Sequence, residues 1–487
     1  MGFQSDLVSF LTLTKMKKTI ENIAYKWLTK PTGDPFVDVG GVVMDYFARL
    51  HPGKDVLGLI ESMTDIYVNN WSGKLNAFFL NSTITQPAFK GQKKIDETLK
   101  YFKELIQDKR AFQEGYCRIT GRKTKLFYAG RDNHILSGSG TFINFHSAFE
   151  SGLTLSKEVL IRIFFVPFGL LQVSDKIALI QSNDLEVSKY FVLKNCQENI
   201  QGIATGASEG VLKSSLKNPA SALFGFIDDC VSDLKTVVDD RSKLKDIAFN
   251  IYHFTNFGAS PEVQLYHLHS TAFRFYLTCL NPRYRDDWQG FVSAHYHNSK
   301  FKNIKFNRTS AVWEDKTKVA KYGEYKNWSN SIYNKLLLNQ PILAEILNWS
   351  KKYPFNFKIV EIYQTHIRNM DKHTLNKIKE LADFVIRQKE EDKIKRTITR
   401  LRGCKSTHEV RQVLLKWVGQ HYQNGEQTPL ITLEEYTQYL FPEGINWREI
   451  RDLLLIGIYQ KLHEHQMQIA LESSEGDKEE ETETINQ

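Results

Sequence analysis

A strongly marked helix start within Trp27 to Asp45 (WLTKPTGDPFVDVGGVVMD) constrains the fold more than any other feature of this chain. Thr32 and Gly33 are typical turn residues, and the carboxylate of Asp34 is placed to accept hydrogen bonds from the free amide groups of a helix N-terminus. Pro35 suits the first helical position, where no amide donor is needed. The segment therefore predicts a helix that begins at Pro35.

Two consecutive glycines, Gly40 and Gly41, lie inside this predicted helix. Each glycine costs roughly 1 kcal/mol relative to alanine in an exposed helix. Such a cost is tolerated where another group must approach the helix closely. The pair therefore predicts a close contact on this face, made either by the protein itself or by a nucleic-acid backbone.

The length and composition indicate a mostly folded, basic protein. The 487 residues are enough for about three domains. Residues 471–487 contain seven acidic residues and one lysine, so the rest of the chain carries a net charge of +14, against +8 for the whole. We expect this acidic segment to be a disordered tail. The positive surplus elsewhere favours a polyanionic partner such as nucleic acid.

The cysteines and the apolar segments favour a cytoplasmic protein. Five cysteines are scattered along the sequence, which is not the pattern of an extracellular disulfide framework. The N-terminus lacks the apolar core of a signal peptide, and the best apolar run, from Ile161 to Val173, is too short to span a membrane. We expect this run to be a buried strand and the protein to have no membrane partner.

Changes along the chain in residue composition and in the spacing of apolar residues predict an α+β fold. Residues 1–354 are predicted to form a mostly helical N-terminal region with a β-hairpin or sheet insertion at about 115–195. Residues 355–470 predict a C-terminal helical bundle. The acidic tail at 471–487 follows the bundle.

Finer patterns predict individual elements. Helical spacing of apolar residues predicts a helix at 93–109, and the apolar runs on either side of Ser174 and Asp175 predict a hairpin. Residues 220–276 have helical periodicity, and residues 282–326 are irregular and basic. The helices predicted for the bundle are at 373–395, 407–421, 433–440 and 447–468.

A basic segment with nearby glycines and serines is the first candidate for phosphate binding. Glycine lets backbone amides approach an oxyanion, and each neutralised phosphate steepens the logarithmic salt dependence of binding by about 0.9. The alternative is an ordinary solvated loop. The residues are Arg118, Arg122, Lys123, Lys125 and Arg131, close to Ser137 and Ser139.

A second basic segment alternates positive charges with aromatic rings. Such alternation is typical of grooves for single strands, in which charges follow phosphates and rings stack on bases. Buried aromatic residues under a lysine-covered surface would give the same sequence. The cations are Lys300, Lys302, Lys305, Arg308, Lys316, Lys318, Lys321 and Lys326, and the rings are Phe301, Phe306, Trp313, Tyr322, Tyr325 and Trp328.

A third basic cluster lies near the end of a predicted helix of the bundle. Cations at a helix C-terminus also interact favourably with the helix dipole, so part of this cluster has a structural explanation. The functional alternative is a surface that holds a DNA strand. The residues are Lys389, Lys393, Lys395, Arg396, Arg400 and Arg402.

Signals for catalysis are weak. Three His-x-His pairs, at 267 and 269, 295 and 297, and 463 and 465, would place two imidazoles on one side of a strand but separate them on a helix. Gly138-Ser139-Gly140 lacks the third glycine of a dinucleotide-binding fingerprint, and Cys117 has no evident activating base in the local sequence. We therefore expect no enzyme and no metal or other cofactor; the alternative is a metal-dependent DNA-processing enzyme.

Five segments, taken in order, resemble the large subunits of type I-B CRISPR Cascade complexes, the group with a CXXC-CXXC motif. The first is the Thr-Gly-Asp-Pro-Phe-Val-Asp element, whose motif residues are Thr32, Gly33, Asp34, Pro35, Phe36 and Asp38. The others are KLNAFFLNSTITQPAFK from Lys74, YCRITGR from Tyr116, GRDNHILSGSGTFINF from Gly130, and WREIRDLLLIGIYQKLH from Trp447. The resemblance rests on the shared order of the five segments, because the match of each single segment is weak.

The sequence departs from this family at the motif that names it. Cys117 is followed by Thr120 where a second cysteine would complete the first pair, and Ser156 and Val159 stand where the second pair would be. A zinc site built from these four positions is therefore lost.

The resemblance implies a non-catalytic, prokaryotic, cytoplasmic subunit of an RNA-guided complex. Such a subunit recognises the protospacer adjacent motif in target double-stranded DNA, contacts the crRNA and the backbone and small subunits, and recruits a helicase-nuclease or transposition factors. Asn81, Gln86 and Arg118 are the candidates for motif reading, with a structural role as the alternative for each. The alternative for the whole chain is a generic basic nucleic-acid-binding scaffold.

The resemblance also gives a meaning to Met370. In this family a small helical subunit is sometimes translated from an internal start within the large-subunit gene. A product that begins at Met370 would have 118 residues. The alternative is that this methionine has no special role.

Overall fold

The chain divides into two compact units. The computed structural model describes residues 16–137, 153–237, 244, 246–256, 261–298, 305–307, 309–310, 312–314, 319–320, 324, 327–388, 390–443 and 446–467. The first unit comprises the described residues within Met1–Phe273, Tyr296–Lys305 and Val312–Leu337. The second comprises those within Arg274–His295, Phe306–Ala311 and Leu338–Gln487. The predicted boundary between residues 354 and 355 falls inside the second unit, and the predicted acidic tail lies outside the described residues.

Helices account for most of the regular structure. The α-helices are α1 (Lys26–Thr29), α2 (Pro35–Leu50), α3 (Val56–Asp65), α4 (Gln92–Ile106), α5 (Lys157–Phe165), α6 (Leu185–Ala204), α7 (Pro219–Val237), α8 (Ser270–Cys279), α9 (Pro282–Ser293), α10 (Ser331–Leu337), α11 (Leu343–Ser350), α12 (Phe357–His366), α13 (Lys372–Arg387), α14 (Glu391–Gly403), α15 (Thr407–Gln423) and α16 (Trp447–Glu464). Shorter helical turns are Ile66–Asn70, Val166–Gly169 and Glu435–Leu440.

The strands form small sheets. They are β1 (Phe112–Tyr116), β2 (Lys123–Ala129), β3 (Leu153–Ser156), β4 (Leu171–Val173), β5 (Lys176–Ser182), β6 (Leu212–Lys213), β7 (Phe249–Thr255), β8 (Glu262–Leu268), β9 (Tyr296–His297), β10 (Lys305–Asn307), β11 (Val312–Glu314), β12 (Val319–Ala320) and β13 (Ser329–Asn330). One antiparallel sheet has the order β1-β2-β3, and a five-stranded sheet has the order β6-β4-β5-β7-β8. In the larger sheet only β4 and β6 run parallel. The predicted α+β class is confirmed.

Helix α2 begins where the sequence predicts. The Asp34 side chain accepts hydrogen bonds from the amides of Phe36 and Val37, and Pro35 occupies the first helical position. One face of α2, including Val43 and Phe47, is buried in the core of the first unit. The predicted helix at 93–109 is α4, which begins one residue earlier and ends at Ile106.

The apolar run from Ile161 to Val173 is mostly not a strand, so that prediction was wrong. Its first part lies in α5, where every residue from Lys157 to Phe165 is buried. A fully buried helix has no polar face, and its sequence therefore lacks the periodicity that separates helix from strand. The end of the run, β4, does pair with β5 across a turn at Ser174, so the predicted hairpin is confirmed.

Two further predictions need correction. Residues 220–276 contain α7 but also β7 and β8, which pair with each other as antiparallel strands. Burial alternates along the first part of β7, as expected for a strand, whereas most of β8 is exposed. The segment that begins at Pro282 starts with α9, whose first turn is capped by the side chain of Asn281.

The second unit contains the helices of the predicted bundle. Gly457 of α16 lies against Ala382 of α13, and the side chains of Leu453 and Ile456 are buried. The helix predicted at 373–395 is two helices, because α13 ends at Arg387 and α14 begins at Glu391. Acidic residues in the first turn of α14 favour a new helix start through the helix dipole.

Candidate nucleic-acid interface

The opening motif builds a partly buried hydrogen-bonding centre around the carboxylate of Asp38. The Asp38 carboxylate accepts hydrogen bonds from the Thr32 amide and hydroxyl, both at 2.8 Å, and from the Gly33 amide at 2.9 Å. The same carboxylate accepts from Arg162 Nη2 at 2.8 Å. The Arg162 side chain is 0 % exposed. This ion pair between a fully buried arginine and a half-buried aspartate joins the start of α2 to α5.

The rest of the Arg162 guanidinium is satisfied by backbone carbonyls. Nε donates to Val37 at 2.8 Å, and Nη1 donates to Trp27 at 3.2 Å and to Lys30 at 2.8 Å. Burial lowers the pKa of Arg162 from its ordinary value, and the Asp38 carboxylate opposes that shift. The chain before α2 is thus held onto α5 by one side chain.

The glycine pair is explained by the same arginine. A Cβ at position 40 would lie 2.0 Å from the Arg162 carbonyl oxygen, and a Cβ at position 41 would lie 2.7 Å from its guanidinium. The group that approaches Gly40 and Gly41 is therefore protein, not nucleic acid. The Asp34 side chain also accepts hydrogen bonds from the amides of Phe36 and Val37 at the start of α2.

The backbone forms a turn around Cys117. The Cys117 amide donates to Arg122 O at 2.9 Å, and the Gly121 amide donates to Cys117 O at 2.8 Å. Burial raises the pKa of Cys117, but hydrogen bonds from the Thr120 side chain and from the backbone amides of Ser156, Thr120 and Ile119 outweigh it, so the pKa lies below its ordinary value. The structure thus brings together Cys117, Thr120 and Ser156, three of the four positions of the altered motif. No cluster of three or more potential His, Cys, Asp or Glu metal ligands occurs among the described residues.

Two cations of the first basic cluster are used inside the protein. Arg122 Nη2 lies 2.7 Å from the carboxylate of Glu158, which is 2 % exposed, and the guanidinium stacks on Trp27 at 5.5 Å. Lys125 Nζ lies 3.0 Å from Asp108 and 4.6 Å from the centre of the Phe112 ring. These ion pairs support a structural role for both residues.

The other members of this cluster differ in exposure. Arg118 and Lys123 are exposed, and Arg131 is half-buried with its carbonyl accepting from the Leu80 amide at 2.7 Å. Ser137 donates to His134 O at 3.4 Å, and Ser139 lies outside the described residues. Arg118 and Lys123 are therefore the members that solvent reaches most readily.

The loop from Phe79 to Phe89 brings together two motif-reading candidates. The Gln86 side chain donates to Asn81 O at 2.9 Å. Asn81 is exposed and has a positive φ of 67°, a conformation that asparagine adopts more readily than most residues. The side-chain amide of Asn81 makes no hydrogen bond within the described part of the chain.

The second basic segment is only partly described. Lys300, Lys302 and Arg308 lie outside the described residues, as do Lys316, Lys318, Lys321 and Lys326. Lys305 lies in β10. Trp313 and Trp328 are buried, with ring centres 6.0 Å apart, so these two rings pack inside the protein and are not base-stacking platforms.

The third basic cluster lies on α14 and keeps exposed charge. Lys393 pairs with Glu390 at 2.8 Å, whereas Arg396 and Arg400 are exposed and form no ion pair with any described residue. Lys395 and Arg402 are half-buried, and Lys389 lies outside the described residues. Two like charges four residues apart on a helix repel each other by a few tenths of a kcal/mol. An anionic partner would remove that repulsion.

Within the described part of the chain, none of the histidine pairs belongs to a cluster of three or more potential metal ligands. His267 Nε2 lies 3.0 Å from His269 Nδ1, and its other ring nitrogen contacts Asn250. His295 contacts the Phe291 carbonyl, and His463 contacts the Ser350 carbonyl at 2.9 Å. These contacts are with amide or carbonyl groups or with another imidazole.

Sequence reasoning missed the buried charged residues that hold the first unit together. Arg162 and Glu158 both lie in or next to the apolar run that was interpreted as a strand. A charged residue inside an apolar run, such as Arg162, could have indicated a buried ion pair, because a buried charge needs a partner elsewhere in the fold.

The C-terminal part of the chain is similar to a known family. The family model described as the DevT C-terminal domain matches residues 348–486. DevT is a CRISPR-linked, Cascade-associated family, so the match supports a CRISPR-associated protein. It does not distinguish a type I-B large subunit from other such proteins. No curated protein matches the chain. Within the described residues, no helix is long and apolar enough to cross a membrane.

Proposed function

We propose that this chain is the non-catalytic large subunit of a type I-B CRISPR RNA-guided surveillance complex. The match of residues 348–486 to the DevT C-terminal domain carries the proposal. The five segments that resemble such large subunits extend it to the rest of the chain. The subunit recognises the protospacer adjacent motif in duplex target DNA, while the crRNA reads the remaining sequence by base pairing.

Exposed cations supply the contacts with nucleic-acid backbones. Arg396 and Arg400 on α14, with Arg118 and Lys123 near β2, are the exposed candidates in the described structure. Phosphate contacts of this kind fix register, whereas motif reading needs side chains at base edges. Asn81 and Gln86 have side chains of the right chemistry for that reading.

The partners follow from this role. They are the crRNA, target double-stranded DNA, the backbone and small subunits of the complex, and a helicase-nuclease or transposition factors as the effector. The assembly acts in a prokaryotic cytoplasm.

Internal initiation at Met370 is part of the proposal. Met370 lies between α12 and α13, immediately before Asp371, whose side chain caps α13 by accepting from the His373 amide at 2.6 Å. A product from this start keeps α13 to α16 and begins at a helix cap. Changing Met370 to leucine should remove a small C-terminal product and spare the full-length chain. The control substitution Met467→Leu should leave both the small product and the full-length chain in place. A small product that persists in M370L, or that never forms in the wild type, defeats this part of the proposal.

Co-purification tests the main assignment. The tagged chain is co-expressed with a CRISPR array and the genes that neighbour it, and the purified material is analysed for RNA and protein. We expect a crRNA of defined length and a repeat-binding backbone subunit in constant ratio to the chain. Recovery of the chain alone, or with heterogeneous RNA, would rule out the assignment and favour a generic basic scaffold. Metal-dependent cleavage of labelled DNA by the purified chain would instead favour an enzyme.

A further inference from the structure

A cavity in the first unit lies beside the loop from Phe79 to Phe89. Its volume is about 410 Å³, which lies within the roughly 300–1,000 Å³ of small-molecule sites. The cavity is bounded by this loop and by α4. Phe79 and Phe102 are buried in its wall, and Tyr101 and Phe89 are half-buried at its side. Asn81 and Asp132 are exposed at its mouth.

The wall of the cavity is rigid. The Leu80 amide donates to Arg131 O at 2.7 Å, which ties the start of the loop to the segment after β2. The Thr83 and Thr98 hydroxyls lie 2.7 Å apart and tie its middle to α4. Because these bonds are made within the protein, they restrict the motion of the loop, and a restricted loop loses less entropy on binding.

The aromatic side of the cavity suits a flat ring. The Tyr101 hydroxyl accepts from the Asn133 side chain at 2.9 Å, and the Arg110 guanidinium lies 4.5 Å from the centre of the Tyr101 ring. Burial raises the pKa of Tyr101 to about 12, so its hydroxyl stays protonated at neutral pH. These contacts hold the Tyr101 ring in one orientation. Because the Arg110 guanidinium already covers one face of that ring, a base can stack only on its opposite face or on Phe89.

Some polar side chains of the cavity pair with each other, as Arg110 does with Glu104, but two at the mouth have no such partner among the described residues. Within the described part of the chain, the Asn81 amide and the Asp132 carboxylate make no hydrogen bond or ion pair. An amide both donates and accepts, and a carboxylate accepts from an amino group. Lys100, also exposed at the cavity, supplies a cation for a phosphate.

We propose that this cavity binds one unstacked nucleobase with an exocyclic amino group, presented by a nucleic-acid strand. The aromatic side stacks on the base, and Asn81 and Asp132 meet its polar edge. Removing a base from its stack costs less free energy in a single strand than in a duplex, and stacking on an aromatic side chain offsets that cost. The inference rests on the proposed nucleic-acid role of the chain and names a site for it.

Single-stranded oligonucleotides test the site directly. The full-length chain is titrated into a fluorescein-labelled nine-residue oligothymidylate and into the same strand with one central adenine, cytosine or abasic position, in DNA and RNA forms. Thymine can stack on the rings but lacks an exocyclic amino group, so we expect the adenine or cytosine strand to bind about 10-fold tighter than the all-thymine strand, which is the effect of one hydrogen bond to a charged acceptor. The abasic strand should bind no better than the all-thymine strand.

Two variants and one control assign the effect to the cavity. Asn81→Gly removes the amide and tolerates the positive φ, and Phe89→Ala removes a ring at the side of the cavity. Both should reduce the adenine advantage, measured as the ratio of the two dissociation constants within each variant, to less than about twofold: Asn81→Gly because the polar edge of the base loses a partner, and Phe89→Ala because the base loses a ring to stack on. Tyr422→Ala, which removes a ring that is 72 % exposed on α15, should keep the full advantage.

Each remaining outcome overturns the inference in a distinct way. Equal affinity for all strands means that the chain binds backbones and the cavity binds no base, and it leaves the proposed function standing. Adenosine monophosphate and the unlabelled adenine strand are also compared as competitors. If both displace the labelled strand at the same concentration, the cavity is a site for free nucleotides. No binding to any strand overturns the inference, and co-purification of a crRNA then decides whether the proposed function survives.

Discussion

Replacing Gly40 by alanine should destabilise the first unit strongly. The new Cβ would lie 2.0 Å from the Arg162 carbonyl oxygen, whereas carbon contacts have optimal separations of about 3.5–4.0 Å, so α2 and α5 must move apart by more than about 1 Å. Overpacking of this kind costs about 1–3 kcal/mol. The movement also lengthens hydrogen bonds of the buried Arg162, each worth about 1.5–3 kcal/mol because the donor is charged. Alanine has a higher helix propensity than glycine, which returns about 1 kcal/mol. We therefore expect the free energy of unfolding to fall by about 3 kcal/mol in total.

Urea unfolding and hydrogen exchange measure this loss. The free energy of unfolding is taken from circular dichroism at constant m value, and exchange in peptides that cover α2 and α5 localises the change. Gly202→Ala is the matched control in the same unit, because its Cβ would meet Ser208 at an ordinary 3.4 Å. We expect that control to be as stable as the wild type or more stable by up to about 1 kcal/mol. If Gly40→Ala were as stable as Gly202→Ala, the account of the glycine pair would be wrong.

Three further predictions concern charge, pH and the altered cysteine motif. Changing both Arg396 and Arg400 to glutamine should weaken DNA binding without lowering the urea midpoint. The slope of the logarithm of the binding constant against the logarithm of salt concentration should become shallower by up to about 1.8. An unchanged slope would mean that α14 is not part of the interface. Burial lowers the pKa of His134 to about 4, below the ordinary value of about 6.5, so its contribution to stability is complete above about pH 6.5 and is lost as the pH falls toward 4. Between pH 7 and 4.5 the free energy of unfolding, measured by urea titration, should therefore fall less for His134→Asn than for the wild type. Equal decreases in the two proteins would contradict this. Restoring cysteines beside Cys117 should create a tetrahedral thiolate site that binds Co²⁺ with its characteristic visible absorption, whereas no absorption would show that the four positions do not converge. The substitutions are T120C, S156C and V159C.

Local rules predicted the start of α2 because Asp34 and Pro35 are sufficient by themselves to specify a helix N-terminus. The same rules could not identify the partner of the glycine pair. That partner, Arg162, is far away in sequence and lies in a run whose uniform burial hides helical periodicity.

The candidate site was predictable only in part. The sequence locates cations, but only packing shows which are used inside the protein. Arg122 is neutralised by the buried Glu158, whereas Arg396 and Arg400 remain exposed. The cavity beside Asn81 depends on loop contacts with Arg131 and α4, which no local pattern encodes.

Motif selection by the reconstituted complex tests the central claim most directly. The complex is assembled with and without this chain and is incubated with a duplex library in which the bases beside a matched target are randomised; bound DNA is then sequenced. We predict enrichment of a small set of adjacent motifs that disappears when the chain is omitted. Uniform recovery of all flanking sequences, or the same enrichment without the chain, would contradict a role for it in reading the adjacent motif.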